Sequence, residues 1–281
     1  MPTLIADSGA TKTDWLYVDG TDTTHIKTQG LHPSNIEQLS DSQDIKNQIG
    51  GFSPDSIYFF GAGCGNPVSD EIVQRFLQPI FPKSAIRINS DLDGSGKAFF
   101  GEENGVVAVL GTGSVCAKIE NGNVVKKSAA LGFAIGDEGS AADLGRRILR
   151  LYFRKTADDT TYNFIAEKLD QTDYATMMNR IYRAGKPNRE LASIAGEVLI
   201  KPLPPQLLEM IKDAFGEFVD QQLSMLKLSG TENIVFTGKV AHVHKDILIP
   251  LLNQKGFENV SIRYPVIAAW RERVKVGHLG F

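Results

Sequence analysis

The sequence predicts an α/β chain of two domains, and three observations predict it. Apolar, β-branched runs end again and again in glycine-rich loops. Helical apolar spacing fills stretches between and after these runs. One order of elements (strand, Gly/Thr/Ser loop, strand, turn, strand) occurs twice, from residue 3 and again from residue 106. A length of 281 residues agrees with about two domains. No low-complexity linker marks the boundary, so the repetition alone divides the chain into 1–105 and 106–281.

The first strand opens at 3–6 and breaks at Asp7-Ser8-Gly9-Ala10-Thr11. Extended structure resumes at 15–18, turns at Asp19-Gly20 and returns at 25–28, as a hairpin would. Residues 36–49 are polar but compatible with a helix, and 56–60 form a buried strand ending at Gly61. Ile72, Val73, Phe76 and Leu77 give 70–77 a helical face, after which 85–89 is a short strand running into Asp91. The second round begins with a strand at 105–110, breaks at Gly111-Thr112-Gly113-Ser114, continues at 115–119 and turns at Asn121-Gly122. Helices follow at 141–153, 190–200 and 207–226, the last two separated by Pro202, Pro204 and Pro205. A strand at 233–237 ends at Gly238, then a helix at 244–255 and a strand at 261–264 complete the pattern.

Composition excludes several classes of function. Hydrophobic content of 42% and charged content of 22% rule out disorder and coiled coil. A net charge of −3, with only short basic runs such as Arg146-Arg147, argues against a nucleic-acid surface. No apolar stretch approaches the ~18–20 residues of a membrane span, and the N-terminus lacks the basic and apolar regions of a signal peptide. Cys64 and Cys116 cannot build a disulfide framework, so a cytoplasmic protein is expected. His242 and His244 have no third ligand nearby and read as a solvated approach to a helix.

The glycine loops fail two familiar nucleotide tests. Gly96-Lys97 is followed by Ala98, with Asp91 where a P-loop has its first glycine, and Gly111-Thr112-Gly113 runs into Cys116 where a dinucleotide fingerprint has its third. What remains is two Gly/Thr/Ser loops, each between paired strands. Such a loop presents backbone N–H groups and hydroxyls to one concave point, which suits phosphate oxygens. Two ordinary hairpin turns would have the same spacing.

The ordered set of motifs carries more than any one of them. Asp7-Ser8-Gly9-Ala10-Thr11-Lys12-Thr13-Asp14 resembles the first phosphate motif of the actin-like ATPase superfamily of sugar kinases, Hsp70 and actin. Leu110-Gly111-Thr112-Gly113-Ser114 resembles its second phosphate motif, and Ile234-Val235-Phe236-Thr237-Gly238-Lys239-Val240-Ala241 its adenosine motif. Gly136-Asp137-Glu138-Gly139-Ser140, directly before a helix, is similar to the N-acetylglucosamine kinase and BadF-type ATPase family. The resemblance covers residues 3 to about 269. It implies two actin-like (ribonuclease H-like) domains, each a mixed five-stranded sheet flanked by helices, with a nucleotide cleft between them. ATP and Mg2+ are the implied cofactors and a small sugar the implied partner, with a homodimer as the family's expectation.

Residue by residue, the resemblance implies that Asp7 holds the water shell of Mg2+, an ion that usually takes only one or two carboxylates. Gly9, Ala10, Thr11, Lys12 and Thr13 would lie along the ATP phosphates, with Thr112, Gly113 and Ser114 gripping them from the other domain, and Gly238 and Lys239 approaching the adenosine. Asp91 matches the catalytic acid of the sugar kinases. A sugar hydroxyl is a poor nucleophile, so a carboxylate must take its proton as the phosphoryl group arrives. Asp93 is the competing carboxylate, and a cap on the following segment is the other use for Asp91. Asn35, Gly132, Asp137 and Glu138 match sugar-contacting positions, against which stand a turn role for Asn35 and an N-terminal helix charge for the acidic pair.

Three departures bear on substrate. Ala10 stands where the kinases carry a third glycine, Val115 where they carry asparagine, and Ala130-Leu131-Gly132 where they carry G-W-G. Losing polar and aromatic character there puts N-acetylglucosamine itself in question while leaving ATP untouched. The tail from Trp270 to Phe281 also leaves the family pattern. The leading expectation is an ATP-dependent kinase for an amino sugar, N-acetylglucosamine-like or cell-wall-derived. The alternatives are a dehydratase-type ATPase activator, which would need cysteines to bridge an iron–sulfur cluster, and a non-catalytic nucleotide- or sugar-binding regulator.

Overall fold

A computed structural model describes residues 1–36, 43–183 and 185–277. The chain forms two compact units, one made of Met1–Gly105, Ile119–Val125 and Tyr264–Phe281, the other of Val106–Lys118 and Lys126–Arg263. Among the described residues no helix is long and apolar enough to cross a membrane.

The first unit is built on β1 (Thr3–Ser8), β2 (Lys12–Asp19), β3 (Asp22–Gln29), β4 (Ser56–Gly61) and β5 (Ala85–Ser90), in the order β3-β2-β1-β4-β5. β1 runs antiparallel to β2 and parallel to β4, which makes the sheet mixed. Alternation along β1 splits its side chains between two buried faces. Leu4 and Ala6 join a core with Trp15, Phe59 and the inner faces of α1 (Pro33–Ile36), α2 (Gln43–Ile49) and α3 (Pro67–Leu77), while Ile5 is buried on the opposite side. The helix expected at 36–49 therefore appears as α1 and α2, with 37–42 outside the described residues.

The stretch beginning at Asp91, read from sequence only as a cluster of glycines, is helix α4 (Asp91–Phe100). Its glycines serve close packing. A Cβ on Gly94 would lie 2.5 Å from the Phe60 side chain, so only glycine lets α4 seat directly on β4. This seating fixes the N-terminus of α4, and hence Asp91, at the end of β5.

The second sheet consists of β6 (Gly105–Leu110), β7 (Ser114–Glu120), β8 (Asn123–Lys127), β9 (Ile234–Thr237) and β10 (Val260–Ile262), in the order β10-β9-β6-β7-β8, and belongs to the second unit except for Gly105 and Ile119–Val125. β9 lies parallel to both β6 and β10. The helices are α5 (Ala141–Phe153), α6 (Asp159–Lys168), α7 (Tyr174–Arg183), α8 (Pro187–Val198), α9 (Pro205–Gln221), α10 (Lys239–Val243) and α11 (Lys245–Gln254), with a 3-10 turn at Leu223–Leu226 after α9. Val106, Ala108 and Phe236 from the strands pack with Ile148, Ile194 and Phe215 from the helices. Helices α6 and α7 are not among the helices expected from the sequence, although α7 carries helical apolar spacing at Met177, Met178 and Ile181. Only Thr161 and Ile165 of α6 are buried, too few to mark a face.

Residues 264–281 are expected with the second domain, whereas Tyr264–Phe281 groups with the first unit. The cause is the last helix, α12 (Val266–Lys275), which packs on β1, β2 and α4 and stacks Trp270 on Phe60 at a centroid distance of 5.4 Å. The sequence that seemed to leave the family pattern at Trp270 thus continues a helix whose buried face includes Ile267, Ala269 and Trp270. His242 is exposed, whereas His244, expected to be solvated, is buried at the junction of α10 and α11.

Candidate functional site

In the first unit the β1–β2 connection is a tight three-residue turn. Gly9 N–H donates to Lys12 O at 2.9 Å, and Gly30 N–H braces the loop by donating to Thr11 O at 3.1 Å. Beneath the loop, Ser8 and Thr13 share a hydroxyl hydrogen bond of 2.7 Å, and Leu31 N–H donates to both oxygens. Thr13 is fully buried in this lacing. It supports the loop, while Gly9, Ala10 and Thr11 form its rim.

Asp7 is the penultimate residue of β1 and lies opposite Asp14 of β2 in the strand register. Its carboxyl is pushed up to about 7, first by burial, then by the negative charges of Asp91 and Asp14, with Lys12 opposing. Asp14 is buried and holds two partners: Lys12 Nζ donates to it at 2.6 Å, and His25 Nε2 lies 2.9 Å from its other oxygen. Lys12 also rests over the Tyr264 ring, 5.4 Å from its centroid. The sequence named Asp7 and Lys12 but gave no sign of His25, which reaches Asp14 only through the pairing of β2 with β3.

Asp91 is the first residue of α4, and the cap is made by its neighbours. Ser90 accepts from Asp93 N–H, and Asp93 accepts from both the Ser90 hydroxyl and its N–H, a complete capping box. Asp91 Oδ1 accepts from Leu92 N–H at 3.0 Å. The helix-capping use considered for Asp91 therefore falls to Ser90 and Asp93. Asn35 lies in α1, and its side chain is outside the described residues.

In the second unit the β6–β7 loop closes with Gly111 N–H donating to Gly113 O at 3.0 Å. The first amides of α5 donate to this loop, Ala141 N–H to Gly111 O at 2.9 Å and Ala142 N–H to Thr112 O at 3.2 Å. Gly238, with φ of 98°, turns the chain from β9 into α10 directly against the end of β6. A Cβ there would collide with Leu110 O and lie 3.0 Å from Gly111 N, so the glycine requirement is strict. The second phosphate motif and the adenosine motif are thereby adjacent, with Lys239 exposed at the start of α10.

The Gly132 to Gly139 loop meets the same place. Asp137 has φ of 59°, an αL conformation that short acidic residues tolerate, and its Oδ1 accepts from Ser114 N–H at 3.2 Å. Burial is the main cause of its raised pKa, with the Ser114 N–H opposing and the Glu138 charge adding. Ser114, expected to touch phosphate, is buried, and its hydroxyl donates to Glu138 O at 2.8 Å. The loop is anchored from α5: Arg146 donates to Phe133 O at 2.8 Å and Asp143 accepts from Gly139 N–H at 3.1 Å. Gly132, with φ of 74°, starts the loop's inner turn, which Gly136 N–H closes onto Gly132 O.

Among the described residues no group of three or more His, Cys, Asp or Glu could hold a metal ion. A metal at Asp7 would have to bring water and ligand oxygens of its own, which is the habit of Mg2+. Asp7 suits that ion, since a cation would offset both the burial of its charge and the negative charges of Asp91 and Asp14.

No protein-family model matches the chain. Among curated proteins it is similar to an N-acetylmuramic acid/N-acetylglucosamine kinase of Clostridium acetobutylicum, 25% identical over 137 residues, or 47% of this chain and 45% of that one. It is also similar to a glucosamine kinase of Vibrio cholerae, 24% identical over 217 residues, or 73% of this chain and 71% of that one. A solved structure from Porphyromonas gingivalis, assigned as an N-acetylglucosamine kinase, aligns with a TM-score of 0.86 over 99% of this chain and 100% of the other, at 22% identity. A ROK family glucokinase from Streptomyces griseus, in complex with glucose and AMPPNP, aligns with a TM-score of 0.55 over 98% and 99% of the two chains, at 13% identity. With its two five-stranded mixed sheets and these likenesses, the chain carries the two-domain fold of the N-acetylglucosamine kinase-like sugar kinases.

Proposed function

We propose that this chain is an ATP-dependent sugar kinase that transfers the γ-phosphoryl group to a hydroxyl of an amino sugar. The observation that carries this reading is the division of labour at the start of α4. Asp93 is consumed by the cap, whereas Asp91 faces the electrostatic neighbourhood of Asp7. The two curated relatives, both named as kinases of amino sugars, support the substrate class. The glucokinase structure named with glucose and AMPPNP supports ATP as donor.

In this reading Asp91 is the general base. It accepts the proton of the sugar hydroxyl as that oxygen attacks the γ-phosphorus and the bond to the β-phosphate oxygen breaks, releasing ADP. Backbone N–H groups of Ala10 and Thr11, and of Thr112 and Gly113, orient the phosphates, while Gly9 closes its loop onto Lys12 O. Thr13 and Ser114 hold these loops in shape from below. Asp7 would hold Mg2+, which neutralises phosphate charge when bound. Lys12 keeps its ammonium close to Asp7, steered by Asp14. Gly238 and Lys239 take the adenosine side, and Asn35, Gly132, Asp137 and Glu138 the acceptor sugar.

The dehydratase-activator alternative is not favoured. Cys116 is fully buried in β7 with its thiol pushed up to about 11, and Cys64, in the other unit, is pushed up to about 12, both mainly by burial. A non-catalytic regulator would have no need of a carboxylate held apart from the cap beside a second one.

The test is a panel of hexoses, hexosamines and N-acylated hexosamines incubated with Mg·ATP, reading ADP release and the mass of the phosphosugar. An amino sugar should give both signals. Turnover of ATP with no phosphosugar from any member would contradict the proposal.

A further inference from the structure

Gln222, at the C-terminal cap of α9, is one of the few buried polar side chains of the second unit, and its amide is fully engaged. Its Nε2 donates to Ser114 Oγ at 2.8 Å and to a carboxylate oxygen of Glu138 at 2.7 Å. Its Oε1 accepts from the Ser128 hydroxyl at 3.1 Å, and Ser128 in turn accepts from Cys116 N–H at 3.0 Å. Each direction is forced by chemistry. A carboxylate can only accept, so the NH2 must face Glu138. The Ser114 hydroxyl gives its proton to Glu138 O and so accepts from Gln222. No rotamer or amide flip leaves this set satisfied, which makes it a rigid link in a buried setting.

The link joins two loops with different proposed tasks. Ser114 closes the β6–β7 phosphate loop, and Glu138 belongs to the Gly136-Asp137-Glu138-Gly139-Ser140 loop on the acceptor side. Ser114 N–H also holds Asp137, so displacement of Ser114 would displace both acids. We infer that Gln222 is a positioning residue that locks the phosphate loop and the acceptor loop into one body, so that nucleotide and sugar each bind better when the other is present. This rests on the kinase reading above. It adds that the coupling between the two ligands runs through an amide that touches neither.

Two variants test it, each measured for thermal stability, for AMPPNP affinity with and without the sugar that the panel identifies, and for kcat and KM. Gln222→Met keeps the length of the side chain and removes all three hydrogen bonds. Wild type should bind AMPPNP about fivefold or more tightly with sugar present, and Gln222→Met should lose that factor. Gln222→Glu sets a second carboxylate against Glu138. At pH 8 it should be impaired, and as pH falls the new acid, its pKa raised by Glu138, becomes protonated and donates again. Its activity relative to wild type should then rise towards pH 6, a recovery that a packing defect would not show. Should Gln222→Met fail to fold, the pH profile of Gln222→Glu decides. A folded Gln222→Met with the full coupling factor, or a Gln222→Glu profile parallel to wild type, overturns the inference. A wild type that phosphorylates no sugar refutes the kinase reading instead, and AMPPNP affinity unchanged in Gln222→Met would then refute this one as well.

Discussion

Ser90 and Asp93 close on each other across the first turn of α4, the Ser90 hydroxyl donating to Asp93 Oδ2 at 2.6 Å while Asp93 N–H donates back to Ser90 Oγ at 3.2 Å. The reciprocal bond satisfies two backbone donors that a helix start would otherwise leave open. It also separates two carboxylates that sit two positions apart in the sequence and look equivalent there.

Asp93→Ala should therefore be a stability variant. Loss of a cap of this kind costs about 0.5–2 kcal/mol, which is roughly 1–8 °C in melting temperature for a chain of this class. The kcat of the folded protein should stay within tenfold of wild type. A collapse of kcat with unchanged melting temperature would move the catalytic role to Asp93.

Asp7 predicts a pH dependence of opposite sign to that of an ordinary salt-bridged carboxylate. Its pKa rises from 3.8 when unfolded to about 7 when folded, so the native state binds the extra proton. Stability is then unaffected below about pH 4, declines as pH rises between the two values, and reaches its full penalty above pH 7. In the presence of a chelator Asp7→Asn should melt a few degrees above wild type at pH 8, with the gain vanishing near pH 4. Mg·ATP should stabilise wild type more than the variant. A melting difference that does not vary with pH would contradict the assignment of this charge.

His244, buried between α10 and α11, should control acid stability. Its imidazole is buried, its Nδ1 has no hydrogen-bond partner among the described residues, and its pKa is lowered to about 4, chiefly by burial and then by the charge of Lys201. The unfolded state binds the proton more readily, so stability is present above pH 6.5 and is lost as pH falls towards 4. His244→Leu should flatten this slope in melts recorded between pH 4 and pH 7. An unchanged slope would show that another group drives it.

The sequence revealed the elements whose signal is local. The β1–β2 and β6–β7 loops were legible because glycine and hydroxyl residues interrupt apolar runs, and the two sheets share one strand order as the repeated pattern of elements shares one grammar. Helix α4 was not, because Gly94 and Gly96 look like loop residues until Phe60 and Ile119 are found pressed against them. Gln222 was hidden for a different reason: its partners Ser114 and Glu138 lie 108 and 84 residues away. A sign was present, since Phe215, Phe218 and Val219 set a helical stripe that Gln222 continues as a polar residue at a buried position. The burial of Thr13 and Ser114 likewise depends on tertiary partners, so composition alone could not separate the residues that line a loop from those that brace it.

If Asp91 takes the proton of the sugar hydroxyl, Asp91→Asn should remove the base and little else. Asparagine keeps the size and most of the hydrogen bonding and leaves nothing able to accept that proton. The measurement is kcat with saturating sugar and a titration of Mg·ATP, because the loss should fall on the transition state while both ligands still bind. A general base contributes about 10²–10⁴-fold in rate, equal to about 3–5.5 kcal/mol of barrier. For Asp91→Asn, kcat should fall by that factor with little change in the affinity for ATP. An Asp91→Asn enzyme within a few-fold of wild-type kcat would contradict it.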